Sequence, residues 1–200
     1  RWIDLIAGSK VPASYKGAAL LDPPTAACME KLVAAFTLDE NRPLHRRYLL
    51  QIMLACKKQW TQRQPPGYAG QTAASVVDLP EPGPGTRLII VGDTHGQLQD
   101  VLWIFAEYGL PSPTNRYLFN GDVADRGDYA VEIFALLLGY MLVYPGSVFL
   151  NRGNHENEEI NERQKKYGGG FVRRAPRPAG RGPLPFLFAS PPATLPLSPA

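Results

Sequence analysis

Cysteine is scarce in this sequence, since Cys28 and Cys56 are the two among 200 residues. Both lie inside apolar patterns typical of helices, and they form no C-x-x-C pair. The sequence therefore offers no disulfide framework and no cysteine metal site, and it favours a reducing compartment. We expect two packed thiols in an intracellular protein, cytoplasmic or nuclear.

Long hydrophobic runs are also lacking. No run approaches the roughly 20 apolar residues of a membrane span, and the start, "RWIDLIAGSK", lacks the charged, apolar and small-residue order of a signal peptide. We expect no membrane span. What is present, 44% hydrophobic and 20% charged residues, suits one globular domain with a buried core.

Acidic residues are absent from Lys165 onward, where six Lys or Arg occur, so the formal net charge of +3 belongs to this end of the chain. Residues 171–200 hold eight of the 20 prolines, which oppose a regular helix or a central strand. We predict a mostly disordered tail over 171–200. Its four arginines are not interleaved with aromatics in a stacking pattern, so no nucleic-acid partner is expected.

Residues 1–80 read as a helical lead-in. The segment "ACMEKLVAAF" predicts one amphipathic helix, and "LHRRYLLQIMLACKKQW" predicts a second. The expected buried stripes are Met29, Leu32, Val33 and Phe36 in the first helix and Leu49, Ile52, Met53, Cys56 and Trp60 in the second. A basic amphipathic helix can also be a calmodulin target or a membrane-surface helix. Packing on the domain is the simpler interpretation.

From Arg87 the pattern becomes strand, loop, helix, repeated. The runs "RLIIV", "RYLFN" and "SVFLN" predict three strands, and the segments between them predict two helices. The continuous apolar run of the first strand suggests coverage on both faces. Strands alternating with crossover helices indicate an α/β fold with a parallel sheet, and right-handed crossovers bring the three post-strand loops to one edge. Ligands bind at that edge.

Those three loops, "GDTHG", "GDVADRG" and "RGNHE", carry candidate ligands. The candidates are Asp93 and His95, Asp122 and Asp125, and Asn154 and His155. Carboxylate, imidazole and amide groups together suit first-row metals such as Mn, Fe or Zn. Carboxylates converging at one edge repel unless a cation lies among them. Two metals sharing one carboxylate would satisfy the set, and Asp122, from the middle loop, is placed to bridge.

Each motif has an ordinary explanation when taken alone. Gly-Asp after a strand is a common turn, Asp125-Arg126 can be a surface ion pair, and Asn154-His155 can cap a helix that begins near Glu156. Three such loops in equivalent places make these explanations poor ones. Glu156 itself is interpreted as a hydrogen-bonding support.

The three motifs, in this order, resemble those of the phosphoprotein phosphatase family, the metal-dependent Ser/Thr protein phosphatases of the calcineurin-like metallophosphoesterase superfamily. The similarity spans roughly residues 11–170 and is greatest to the subgroup whose catalytic domains are attached to EF-hands or to tetratricopeptide repeats. No EF-hand loop and no repeat is visible in this sequence, so the resemblance implies neither calcium control nor a partner bound through repeats. The resemblance implies phosphoprotein substrates and hydrolysis of phosphoserine or phosphothreonine by a water that two metal ions activate.

The resemblance also implies a role for each motif residue. Asp93, His95 and Asp122 would bind one metal, and Asp122 would bridge to a second metal that also takes Asn154. The metals would be two divalent or trivalent ions of Mn, Fe or Zn. His155 would protonate the leaving oxygen, with Asp125 holding its ring. Arg126, Asn154 and His155 would contact the substrate phosphate, Arg126 through its planar fork.

The sequence departs from the family pattern at two points. Ala124 stands where the motif usually has valine, and no histidine follows His155, although the family supplies two further histidine ligands to the second metal. We therefore interpret residues 81–170 as the first half of a metallophosphoesterase β-sandwich, cut short after the third motif. The alternatives are another metallophosphoesterase, such as a dinucleotide polyphosphate hydrolase, and a non-catalytic interaction fragment.

Residues 1–200 on their own are accordingly expected to bind at most one metal ion tightly and to show no appreciable phosphatase activity. Two protein ligands, Asp122 and Asn154, are too few to retain a second ion against water and buffer. Elemental analysis of the purified chain and an assay on a phosphoserine peptide check this. Two metals per chain with metal-dependent turnover would contradict it.

Overall fold

The computed structural model describes residues 8–39, 44–62, 79 and 81–171. Two helices precede a strand-helix-strand-helix-strand unit, and a short helix and a 3-10 turn follow it. The elements are α1 (Ala26–Leu38), α2 (Arg46–Gln62), β1 (Arg87–Val91), α3 (Leu98–Tyr108), β2 (Asn115–Phe119), α4 (Ala130–Val143), β3 (Val148–Leu150), α5 (Glu158–Asn161) and the 3-10 turn Lys165–Tyr167.

The three strands form one sheet in the order β1-β2-β3, and both pairings are parallel. Tyr117 of β2 pairs with Ile89 on one side and with Val148 on the other. This confirms the predicted α/β unit with its two crossover helices. β2 begins one residue earlier than predicted, and β3 is two residues shorter than "SVFLN".

Helix α4 is the centre of the core, because it contacts α1, α2, α3 and β3. It is buried from Ala130 to Tyr140, which matches its apolar composition on every side. Gly139 allows α1 to approach: a Cβ atom there would lie 2.6 Å from the Met29 sulfur. The helical lead-in is therefore packed tightly onto the strand-helix unit.

The predicted apolar stripes of α1 and α2 face this core. Their buried members are Met29, Leu32, Phe36, Leu49, Ile52, Met53 and Cys56. Val33 is half-buried, and the side chain of Trp60 lies outside the described residues. Packing on the domain, rather than presentation to a partner, accounts for the amphipathic pattern of α2.

Both cysteines are buried and unpaired, as predicted. Burial raises the pKa of the Cys56 thiol to about 12, and its sulfur lies 3.5 Å from the carbonyl oxygen of Leu138. A thiol with so high a pKa is a structural group at neutral pH.

The expectation that β1 is covered on both faces is wrong for the described chain, because Ile90 is 69% exposed. β1 is an edge strand of the described sheet, and the exposed Ile90 lies between the half-buried Ile89 and the buried Val91. The predicted tail lies, apart from Phe171, outside the described residues. Within the described ranges, no helix combines the length and apolarity needed to cross a membrane.

Candidate metal centre

Three loops meet where the strands end. The backbone pairing of the sheet continues into these loops. The N–H of Asn120 donates to the carbonyl of Val91, and the N–H of Asn151 donates to the carbonyl of Phe119, both at 2.9 Å. The first and second loops are then joined directly: the His95 N–H donates to the Asp122 carbonyl at 2.9 Å, and the Gly127 N–H to the His95 carbonyl at 2.8 Å. The predicted convergence at one edge is confirmed.

The second and third loops touch backbone to backbone. Gly121 has φ 94°, and a Cβ atom there would lie 2.3 Å from the backbone nitrogen of Gly153. A Cβ atom at Gly153 would in turn lie 2.2 Å from Asp122 Oδ1. Glycine is required at both positions, and it brings Asp122 next to the "GNHE" turn.

Among the residues that the structure describes, four other than glycine adopt the left-handed conformation, and all four are candidate site residues. They are His95 (φ 41°), Asp122 (φ 51°), Asp125 (φ 68°) and Arg126 (φ 59°). Each such conformation costs on the order of 1–3 kcal/mol, and such residues cluster at functional sites. The hydrogen bonds between the loops hold the backbone in this shape.

His95 presents one ring nitrogen for a ligand. Its Nδ1 lies 2.9 Å from the carbonyl oxygen of Ala124, which only an N–H can satisfy, so Nδ1 carries the proton. Its Nε2 is buried and has no hydrogen-bond partner among the described residues, and Asp93 Oδ2 stands 3.9 Å away. A buried, unpartnered imidazole nitrogen with a lone pair suits a metal ion.

Ligand atoms of His95, Asp122 and His155 lie within 4.8 Å of one another. The two imidazole rings meet edge to face, with centroids 4.8 Å apart and an interplanar angle of 85°. An imidazole and a carboxylate are typical ligands of first-row metals, so His95 and Asp122 fit a bound cation, and the His155 ring lies beside them.

The other predicted metal ligands lie around this cluster. The Asp93 side chain is 60% exposed and reaches the cluster through its 3.9 Å approach to His95. Asn154 is exposed and directly precedes His155, whose N–H donates to Asp122 Oδ1 at 2.8 Å. His95 and Asp122 therefore lie close together, whereas the exposed Asp93 and Asn154 lie at the edge of the cluster.

His155 and Asp125 form the predicted pair. His155 Nδ1 lies 3.0 Å from Asp125 Oδ2, and the Asp125 side chain is fully buried. Arg126, the next residue, is exposed, so the two are not an ordinary surface ion pair. The cap of α5 is Asn157, which accepts from the Glu159 and Ile160 N–H groups, so Asn154 and His155 do not serve as helix caps.

Two further groups reach Asp125 that the sequence patterns do not reveal. Asn161 Nδ2 donates to Asp125 Oδ2 at 2.7 Å, and the Phe171 N–H donates to Oδ1 at 3.0 Å. In the sequence, Asn161 stands in no motif and no periodic pattern, so nothing there predicts its contact with Asp125.

Glu156 is the support that the sequence suggested. Its buried carboxylate accepts four backbone N–H groups, from Asp122 (2.7 Å), Val123 (2.9 Å), Ala124 (3.0 Å) and Gly153 (2.8 Å). It therefore joins the second loop to the third.

Comparison with known proteins supplies the family context. The model of the family described as "Calcineurin-like phosphoesterase" matches residues 86–189. The match extends past residue 170, where our predicted domain ended.

Curated relatives are similar over most of this chain. It is 40% identical over 158 residues, 79% of its length, to serine/threonine-protein phosphatase T of Schizosaccharomyces pombe. It is 41% identical over 154 residues, 77% of its length, to serine/threonine-protein phosphatase with EF-hands 2 of Homo sapiens. The chain spans only 30% and 19% of the lengths of these two relatives.

A solved structure is also similar. It is that of a protein serine/threonine phosphatase from Saccharomyces cerevisiae "with similarity to human phosphatase PP5", with a TM-score of 0.56 and 31% sequence identity. The similarity covers 66% of this chain and 40% of that one.

Replacing Glu156 by glutamine is expected to loosen the centre. The amide would direct an NH₂ group at backbone N–H donors, leaving some of them unsatisfied. We expect the free energy of unfolding in urea to fall by about 1–3 kcal/mol, and the affinity for Mn²⁺ in a calorimetric titration to fall about 10- to 100-fold.

The matched control is Glu159→Gln, an exposed position on α5, three residues after Glu156, where we expect a change within about 0.5 kcal/mol. If Glu156→Gln behaved like this control, the carboxylate would not be what holds the loops together.

Proposed function

The chain belongs to the calcineurin-like phosphoesterase family, and we propose that the protein is a metal-dependent serine/threonine protein phosphatase. The observation that carries the proposal is the buried Nε2 of His95, which has no hydrogen-bond partner within the described part of the chain and lies beside Asp122 and His155. Similarity to protein phosphatases over more than three quarters of the chain supports the choice of substrate.

The residues present divide between two metal positions. Asp93, His95 and Asp122 would hold the first ion, and Asp122 and Asn154 would contribute to the second. Bound Mn, Fe or Zn ions would supply Lewis-acid activation of water and neutralise charge on the phosphate. The protein's part is to fix these side chains before the substrate arrives, which the loop hydrogen bonds favour.

His155 is proposed to donate the proton to the leaving serine or threonine oxygen. Because its Nδ1 faces Asp125, the transferable proton is the one on Nε2. A carboxylate partner stabilises the positive charge of an imidazole that carries both protons. The corresponding partner of His95 is the neutral carbonyl of Ala124, which suits a neutral metal ligand. This difference supports separate roles for the two histidines.

Arg126, with Asn154 and His155, is proposed to contact the substrate phosphate. Arg126 is exposed and held at φ 59° beside the buried Asp125. A guanidinium can donate two parallel N–H groups to two phosphate oxygens, which orients the ester for attack.

We further propose that the protein acts inside the cell, which its unpaired cysteines support. We also keep residues 1–80 as a helical lead-in to the phosphatase unit, a division that the start of the family match at residue 86 supports.

Asp122→Asn in the intact protein is expected to leave the fold and to abolish nearly all hydrolysis of a phosphoserine peptide. Its Oδ1 can still accept the His155 N–H, whereas the negative charge that would serve both metal positions is lost. Activity at saturating Mn²⁺, measured beside circular dichroism, checks this.

Retention of more than about a tenth of the wild-type rate would contradict the bridging role. Wild-type protein that hydrolyses a dinucleotide polyphosphate faster than the phosphopeptide would instead favour another metallophosphoesterase activity. Binding of cellular partners that survives loss of Asp93 and Asp122, without any hydrolysis, would favour an interaction protein.

Arg126→Lys is expected to weaken phosphate binding, because an ammonium cannot reproduce the bidentate fork. Inhibition by inorganic phosphate should require about tenfold more phosphate, since one lost charge-assisted hydrogen bond contributes roughly 1.5 kcal/mol. Arg152→Lys is the comparison, since Arg152 is exposed nearby and donates its Nε to the Glu156 carbonyl. Equal inhibition constants of phosphate for Arg126→Lys and wild type would show that Arg126 does not contact the phosphate.

A further inference from the structure

Asn161 lies at the end of α5, and its side chain is completely buried. Its Nδ2 group donates two hydrogen bonds of 2.7 Å, one to Asp125 Oδ2 and one to the carbonyl oxygen of His155. Both acceptors belong to the pair that the proposed function uses for proton transfer.

The amide can be oriented in only one way. Its Oδ1 is buried and has no hydrogen-bond partner among the described residues. Turning the amide over would place that oxygen against two acceptor oxygens and leave the NH₂ group without them. A buried amide with an unsatisfied oxygen costs free energy, so its presence here indicates a specific use of the NH₂ group.

That use concerns the geometry of His155. Asp125 Oδ2 receives both the Asn161 NH₂ group and His155 Nδ1, which lies 3.0 Å away, while Oδ1 receives the Phe171 N–H. A carboxylate held by these donors cannot rotate away from the imidazole. The same amide fixes the main-chain carbonyl of His155, so the ring and the backbone of His155 are held by one group.

We propose that Asn161 is a positioning residue for the His155–Asp125 pair. It holds the carboxylate so that His155 keeps one proton on Nδ1, which leaves Nε2 to carry the transferable proton and to face the substrate. The inference rests on the proposed function for its catalytic consequence, but the effect on the His155 tautomer does not depend on activity.

The test compares Asn161→Asp with Asn157→Asp in the intact protein. The first change keeps the shape of the side chain but replaces the donating NH₂ group by an oxygen facing Asp125. The second makes the same chemical change four residues earlier, where the side chain only caps α5 and aspartate caps equally well.

Two substrates distinguish a loss of His155 positioning from a general loss of activity. A phosphoserine peptide has a poor leaving group that needs a proton, whereas p-nitrophenyl phosphate releases a stable phenolate. For Asn161→Asp we expect kcat on the peptide to fall about 10- to 100-fold, with KM and the kcat on p-nitrophenyl phosphate within about threefold of wild type. Asn157→Asp should match wild type on both substrates.

The second readout is the ¹⁵N spectrum of the His155 ring, assigned with a His155→Gln variant. In the singly protonated form of the ring, wild-type protein should show the Nδ1–H tautomer, and Asn161→Asp a mixture of tautomers. If Asn161→Asp does not fold, Asn161→Ala, which removes the donor without adding charge, should show the same changes to a smaller degree.

Equal losses on the two substrates, or an unchanged His155 tautomer, would overturn the proposal and leave Asn161 a structural residue. If the wild-type protein hydrolyses neither substrate, the proposed function fails, and the ring spectrum alone then decides whether Asn161 positions His155.

Discussion

The arrangement of the centre depends on one buried carboxylate, that of Glu156. Three consecutive N–H groups of the second loop and one of the third converge on its two oxygens. Removing an ionised carboxylate from water costs several kcal/mol unless its lone pairs are satisfied. Four backbone donors satisfy them here, and the same contacts fix the distance between the loops. The conformation of Asp122, with φ 51°, aims its N–H and those after it at a single point, as in backbone anion nests.

The strain in these loops is offset by contacts between the loops. His95, Asp122, Asp125 and Arg126 each occupy a backbone region that is unfavourable for them. The first loop bonds to the second through the backbone, and Glu156 bonds the second to the third. The hydrogen bonds between the loops hold the side chains that would bind metal and phosphate in one arrangement, as electrostatic catalysis requires.

The fold was predictable because its elements are strongly periodic. Most residues of the predicted stripes of α1 and α2 are buried, and the parallel sheet brings the motif loops to one edge. Ile90 was misjudged, since an apolar run shows what a strand could bury but not whether another element covers it. The contacts of Asn161 and Phe171 with Asp125 were invisible, because they join segments 36 and 46 residues apart. Such contacts follow from the folded path of the chain, and no local pattern encodes them.

Ala124 illustrates a motif position whose backbone contacts matter more to the centre than the identity of its side chain. Its side chain is completely buried, yet its contribution to the centre comes from the backbone: the carbonyl accepts from His95 Nδ1 and the N–H donates to Glu156. A smaller side chain than valine leaves both bonds in place and costs packing energy of about 0.5–2 kcal/mol. Asp125, by contrast, acts through its side-chain oxygens, and Gly153 through the absence of a Cβ atom. A change at Ala124 therefore alters stability, whereas a change at either of the other two alters the centre itself.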